Sequence, residues 1–273
     1  MKIVIGLDVG TSTTKILAMN EAKEILYTER VSASEQLTSL FGAVGSLLYK
    51  TGLRLDQVCR FMTTGVGASF IEGDILGIPT SKVPEIEAMG EGGLFLAGVS
   101  KAIVTSFGTG TTFAAASFEE GVRHVGGIAM GGGTLSGLAA RLFGIDRFED
   151  LAELASRGDI HNVDKSMKEI SHDQVSNLPD FATASNLAKA RANSRDEDVA
   201  IGLFNMLYQA AGTMAVLCAD HFGTDQIVAV GSLATLDMAG VFLGQVGQLY
   251  ERNFIIPQHA AYAPAAGAAL RAF

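Results

Sequence analysis

Asp8-Val9-Gly10-Thr11-Ser12-Thr13-Thr14-Lys15 ends an apolar, β-branched run at residues 2–7 and leads into another at residues 14–18; the rest of the chain is read outward from it. Two short apolar runs around a turn rich in glycine and hydroxyls predict a β-hairpin. The turn also carries chemistry. Glycine lets backbone N–H groups approach an anion, the hydroxyls add donors, and Lys15 adds positive charge. Asp8, closing the first strand, suits a Mg²⁺ ion held through water, because that ion takes few carboxylates and prefers phosphate oxygens for the rest. The same residues also fit an ordinary hairpin whose Asp caps its own turn, so this cluster alone leaves both readings open.

A third strand follows at residues 24–30, then a helix over 33–51 with Leu37, Leu40, Phe41, Val44, Leu47 and Leu48 at helical spacing. Residues 61–64 predict a short strand ended by Gly65-Val66-Gly67, and residues 68–76 a helix before the turn at 77–79. The second half repeats the order. A strand at 102–107, the turn Gly108-Thr109-Gly110-Thr111, strands at 112–118 and 122–125, and a helix over 134–142 opened by Gly131-Gly132-Gly133 follow one another. Ser194 with Glu197 predicts a capping box for a long helix running to about His221, and a strand at 227–230 ends at Gly231-Ser232. Two matching units predict a duplicated α/β domain, divided into lobes at 1–100 and 101–273. The polar stretches 156–173 and 192–198 read as insertions or solvated helical faces.

With 273 residues, the chain is long enough for two lobes, and 48% apolar against 18% charged residues supports a buried core. A net charge of −9 and a pI near 5.0 provide no basic stripe, so nucleic acid is not expected as a partner. Asp8 interrupts the N-terminal apolar run before a signal sequence forms. The apolar stretch at 210–219 is half the roughly 20 residues that span a bilayer. A soluble, cytoplasmic chain with no membrane partner is the expectation. Cys59 and Cys218, far apart in apolar surroundings, read as buried bystanders. His161, His172, His221 and His259 lack metal-ligand spacing.

Two Gly/Thr turns at equivalent places in repeated units are expected to face each other across a cleft and hold a polyphosphate from both sides. Gly131-Gly132-Gly133 ahead of a helix favours a third contact, where free N–H groups and the helix dipole attract phosphate. No Gly-x-x-x-x-Gly-Lys-Ser/Thr pattern occurs, which argues against a P-loop enzyme.

The Asp8-Val9-Gly10-Thr11 and Phe107-Gly108-Thr109-Gly110-Thr111 turns, Val125-Gly126-Gly127-Ile128 with the triple glycine, and Val228-Ala229-Val230-Gly231-Ser232 together resemble the phosphate and adenosine motifs of actin-like ATPases. Within that superfamily residues 123–138 resemble the type II pantothenate kinases. The resemblance continues through Gly158-Asp159, Asn162-Val163-Asp164, Leu178-Pro179 and Ala184-Ser185-Asn186, covering nearly the whole chain. It implies duplicated ribonuclease H-like domains with a nucleotide cleft, and ATP-dependent, Mg²⁺-assisted phosphorylation of pantothenate, the first step toward coenzyme A, by a homodimer.

By position, the resemblance puts Asp8, Val9, Gly10, Thr11, Ser12, Thr13, Thr14 and Lys15 at the phosphates, with Asp8 toward the metal. Thr109, Gly132, Gly133, Thr134, Leu135 and Ser136 also fall at the nucleotide, and Phe148 and Ser232 near its adenosine. Glu85 matches the catalytic carboxylate, able to take the proton of the attacking hydroxyl; Glu87 is the neighbour that imitates it. The family commonly has an Arg just before the Val-Gly-Gly run. Here His124 stands there and Arg123 precedes it, so the substrate contact falls to one of these two. Two other readings share the fold. One is an ATP-hydrolysing activator like those of the 2-hydroxyglutaryl-CoA dehydratases, whose opening is very similar but whose iron–sulfur cysteines are not matched by Cys59 and Cys218. The other is a sugar kinase, many of which carry a zinc-binding cysteine cluster.

Overall fold

The computed structural model describes residues 2–11, 13–32, 35–170, 179 and 181–273. Ser12, His172 and Leu178 lie outside the described residues. The chain divides into two compact units. The first consists of Met1–Val104, Ala114–His124 and Pro257–Phe273, and the second of Thr105–Phe113 and Val125–Ile256.

The opening run pairs as the turn predicts: β1 (Ile3–Val9) and β2 (Thr13–Asn20) are antiparallel, with Asp8 opposite Lys15 and Val9 opposite Thr14. Next come β3 (Ile25–Ser32), α1 (Gln36–Thr51), β4 (Val58–Thr64), β5 (Thr80–Lys82) and α2 (Glu85–Ala97). The first sheet has the order β3-β2-β1-β4-β5, with β4 parallel to β1 and β5 parallel to β4. Every residue of β1 is buried. Such a strand is covered on both faces and reads as a continuous apolar run.

The second half follows with β6 (Lys101–Phe107), β7 (Thr111–Ser117), β8 (Gly121–Ile128), α3 (Gly132–Phe143), α4 (Phe148–Ser156), the short pair β9 (Lys165–Ser166) and β10 (Thr183–Ser185), α5 (Asp196–Phe222), β11 (Gln226–Val230), α6 (Asp237–Tyr250), β12 (Asn253–Ile255) and α7 (Ala263–Leu270). Its sheet runs β8-β7-β6-β11-β12, the order of the first sheet repeated strand for strand. One detail is repeated as well. The strand beside β1 ends at Gly65 (φ 86°), where a Cβ would stand 2.6 Å from the Val9 carbonyl oxygen. The strand beside β6 ends at Gly231 (φ 93°), where a Cβ would stand 2.5 Å from the Phe107 carbonyl oxygen. Only glycine meets both the left-handed φ and the close approach.

Several local expectations change. Residues 68–76 form no α-helix: a 3₁₀ turn over Val66–Phe70 gives way to turns with positive φ at Gly73, Leu76 and Gly77. Strand β8 is longer than expected. Ser194 does not cap α5: its Oγ accepts from the Arg191 N–H at 2.9 Å, and Glu197 pairs with Arg195 at 2.6 Å, so neither half of the capping box forms. Asp196, Glu197 and Asp198 in the first turn favour the helix electrostatically instead. Cys59 is exposed on β4 and Cys218 is half-buried. Among the described residues α5 is the one helix long and apolar enough to cross a membrane. Most of it is buried in the second unit, where Leu203, Phe204, Leu207, Tyr208 and Ala211 join the core.

In the first unit α7 closes on β1 and α2 through small residues. A Cβ at Gly92 would stand 1.8 Å from the Ala263 carbonyl oxygen, one at Gly267 1.8 Å from that of Ala88, and one at Gly6 2.0 Å from that of Ala265. Backbone cannot retreat as a flexible side chain can. Gly92→Ala should therefore lower stability by about 1–3 kcal/mol or more. Gly42→Ala, on an exposed face of α1 with nothing within 4 Å, should be neutral or stabilising by up to about 1 kcal/mol. Urea midpoints of the two variants check this; equal midpoints would mean that the helix contact is loose.

Candidate functional site

The Asp8–Lys15 pair anchors the candidate site of the first unit. Direct opposition across β1 and β2 puts both side chains on one face, and Lys15 Nζ lies 3.3 Å from Asp8 Oδ2. Both side chains are largely buried. The turn between them is pinned by the Gly10 N–H donating to the Thr13 carbonyl at 3.0 Å. Val9 and Thr14 face the other way. Thr14 is fully buried and its Oγ1 accepts from Ser39 Oγ at 2.5 Å, which anchors the hairpin on α1. Thr11 is exposed and Thr13 half-buried, so among the described residues of the turn the side-chain hydroxyls nearest the surface are those of Thr11 and Thr13.

Glu85 stands in the first turn of α2, with Pro84 at the N-cap. The segment is helical from Glu85 onward. Glu87, about 200° round the helix from it at 100° per residue, turns to the C-terminal segment, where the Arg271 guanidinium holds it at 2.8 Å and also grips Glu91. Glu85 is an exposed residue, yet the protein around it desolvates its carboxyl enough to raise its pKa above the ordinary value. The negative charge of Asp8 raises it further, and Lys15 opposes both. Glu85, Asp8 and Lys15 thus form one electrostatic group within the first unit.

In the second unit the Gly/Thr turn and the triple glycine form one structure. The Gly108 N–H donates to the Gly110 carbonyl at 2.9 Å, the Gly132 N–H to the Gly108 carbonyl at 2.8 Å, and the Gly133 N–H to the Thr109 carbonyl at 2.9 Å; Thr111 Oγ1 donates to the Met130 carbonyl at 2.8 Å. A Cβ at Gly131 would stand 2.5 Å from the Thr109 carbonyl oxygen. The amides expected to be free at Gly132 and Gly133 are thus bonded to the turn, and the glycines are there to let two loops touch. Thr109 is exposed at the tip, and Thr134 Oγ1 bonds back to the Ala129 carbonyl at 3.2 Å. Leu135 is buried in the core and Ser136 is half-buried.

Phe148 opens α4 and packs edge-on against Phe204, with ring centroids 6.0 Å apart. Ser232 follows Gly231, its carbonyl accepting from Thr235 Oγ1 at 2.7 Å. Arg123 and His124 are adjacent and exposed on β8. The sequence reading omitted Thr64, the last residue of β4, which pairs with Asp8 across the parallel ladder. Its Oγ1 is buried without a hydrogen-bond partner among the described residues. No group of three or more His, Cys, Asp or Glu assembles a metal site among the described residues.

Two five-stranded sheets of identical order, each with a Gly/Thr turn between its first two strands, define the actin-like ATPase fold. The activator of the 2-hydroxyisocaproyl-CoA dehydratase from Clostridium difficile, solved with bound ADPNP, superposes with a TM-score of 0.69 at 17% identity, covering 99% of this chain and 94% of that one. A ROK family glucokinase from Streptomyces griseus, in complex with glucose and AMPPNP, gives 0.64 at 15% identity, covering 98% of each chain. These likenesses show the fold. The sequence model of the Fumble family matches residues 101–268, and the chain belongs to that family. It is similar to a type II pantothenate kinase of Bacillus anthracis, 26% identical over 240 residues that make up 85% of this chain and 83% of the relative.

The electrostatic group has a measurable signature. In a carboxyl-carbon NMR titration Glu85 should titrate above an ordinary glutamate. Asp8→Asn should lower its pKa by removing a like charge, and Lys15→Met should raise it by removing an opposite one. A Glu85 that ignores both changes would show that the three side chains are not coupled.

Proposed function

We propose that this chain is a kinase that transfers the γ-phosphoryl group of ATP to the primary hydroxyl of pantothenate, the first step toward coenzyme A. The observation that carries the reading is Glu85: an exposed residue whose carboxyl has a raised pKa and is coupled to the Asp8 and Lys15 of the Gly/Thr hairpin. Family membership and the name of the Bacillus relative support the choice of acceptor; the nucleotide analogues in the two solved neighbours support ATP.

Phosphoryl transfer asks the protein mainly for positioning and charge. In this reading, backbone amides and hydroxyls of the turn at 10–13 and the exposed Thr109 face the phosphates, with residues 132–136 supporting the second turn. Phe148 and Ser232 lie toward the adenosine, and Arg123 or His124 contacts the acceptor. Glu85 accepts the proton of the attacking hydroxyl, for which a raised pKa makes it a better base. The residues also fit Mg²⁺. Asp8 is a single buried carboxylate with a glycine beside it: a Cβ at Gly65 would stand 2.7 Å from Asp8 Oδ1. That ion takes few carboxylates and completes its shell with phosphate and water. When bound with ATP it would neutralise phosphate charge. We further propose a cytoplasmic homodimer, as the family resemblance implies.

An ADP-release assay with pantothenate, N-acetylglucosamine or no acceptor tests the reading. Release that depends on pantothenate is expected. Release that depends on the sugar, or on no acceptor, would replace the reading with a sugar kinase or with an ATP-hydrolysing activator. Glu85→Ala should slow pantothenate phosphorylation by about 10²–10⁴ and leave nucleotide binding intact, whereas Glu87→Ala should act mainly on stability. The opposite pattern would assign the base to Glu87. Asp8→Asn should lower turnover far more than it lowers the urea midpoint; normal turnover at low Mg²⁺ would reduce Asp8 to a turn residue.

A further inference from the structure

Lys15, Asp8 and Thr64 form one row across three neighbouring strands. Asp8 is the registered partner of Lys15 on β2 and of Thr64 on β4, and registered partners project from the same face of a sheet. In the free protein Lys15 holds Asp8 through one contact at 3.3 Å to Oδ2. Oδ1 lies toward the end of β4, close enough to Gly65 that a Cβ there would stand 2.7 Å away. Thr64, next to that glycine, is 1% exposed and its hydroxyl has no partner among the described residues. Its neighbour Thr63, on the other face, bonds the Ser81 carbonyl at 3.4 Å. A buried hydroxyl left unpaired destabilises a fold, so Thr64 is a poor choice for packing alone: valine has the same shape without that penalty.

We propose that Thr64 is a positioning residue, which takes over the Asp8 carboxylate when Lys15 is drawn from it to the phosphates of a bound nucleotide. The inference rests on the nucleotide-binding reading above. Phosphate competes for the ammonium of Lys15, and Asp8, buried with one oxygen against β4, then needs a donor to hold its orientation. The Thr64 O–H lies on the same face in the next strand. It donates to the carboxylate, and its own unpaired state ends in the same step.

The test is calorimetric binding of AMPPNP with Mg²⁺ alongside urea denaturation of the free protein. Thr64→Val should leave the free protein as stable as wild type or more so, while weakening AMPPNP binding roughly tenfold to a hundredfold, the range expected for a hydrogen bond to a charged group. Thr64→Ser should restore affinity. In an Asp8→Asn background the valine effect should shrink, because the carboxylate it serves is gone. If Thr64→Val binds AMPPNP as wild type does, the hand-over is wrong and the nucleotide reading stands. If wild type binds no AMPPNP, both fall. A Thr64→Val protein that fails to fold, or whose midpoint drops, would show that the hydroxyl is already satisfied in the free protein, and this too overturns the proposal.

Discussion

The close passage of a glycine beneath the end of a neighbouring strand is the constraint on which the rest of the molecule depends. Gly65 reaches the Val9 carbonyl and Gly231 reaches the Phe107 carbonyl, each with a left-handed φ and no room for a Cβ. In each unit this draws the strand beside the hairpin against the hairpin's own turn. In the first unit the contact lies directly beyond the last ladder pair, Asp8 with Thr64, at the end of the row that those two form with Lys15. The repetition of this contact, with the sheet order, is stronger physical evidence for duplication than residue similarity between the halves. It fixes backbone geometry and leaves the side chains free to differ.

The polar middle of the second half has a structural account. Asp164 is buried, and its carboxylate accepts from the Leu187 N–H at 2.7 Å, from Asn205 Nδ2 at 2.6 Å and from Asn186 Nδ2 at 3.3 Å. Asp198, also buried, accepts from the Asp159 N–H at 2.8 Å and from Asn162 Nδ2 at 2.9 Å. Buried polar groups need hydrogen-bond partners, and backbone and side-chain amides supply them here. Residues that read as insertions are thereby bolted to α5. The Gly158-Asp159, Asn162-Val163-Asp164 and Asn186 motifs are explained by packing: a Cβ at Gly158 would stand 2.0 Å from the Glu197 carbonyl oxygen.

Most of the architecture was legible because its strands are short apolar runs bounded by glycine, and its turns carry residues that do little else. The hairpin, the long helix and the repeated order all followed from that pattern. What could not be read depended on tertiary contact. Ser194 has the spacing of a cap, but the turn that precedes it takes its hydroxyl. Residues 68–76 have helical apolar spacing, yet Gly73 and Gly77 at positive φ break the run. The triple glycine suggested free amides, and the structure bonds them to a loop more than 20 residues earlier. Thr64 was invisible because a threonine ending a strand is common; only the absence of a partner for its buried hydroxyl marks it.

Glu85 and Glu87 show how two similar carboxyls, two residues apart, acquire different chemistry. Both sit in the first turn of α2, where the helix dipole favours the charged form. For Glu85 that influence is outweighed: crowding protein and the Asp8 charge move its pKa upward. Glu87 is instead held by Arg271, which also grips Glu91 one turn along, so its carboxylate is committed to fastening the C-terminal segment onto α2. Of the two, then, Glu87 is committed to the fold by Arg271, and Glu85 lies away from that contact. The same arrangement sets the orientation of the helix that carries it, because Arg271 fixes α2 from the face opposite Glu85. Here the difference in environment follows from which side of one helix each residue faces: the Asp8 and Lys15 charges act on Glu85, and the Arg271 guanidinium holds Glu87.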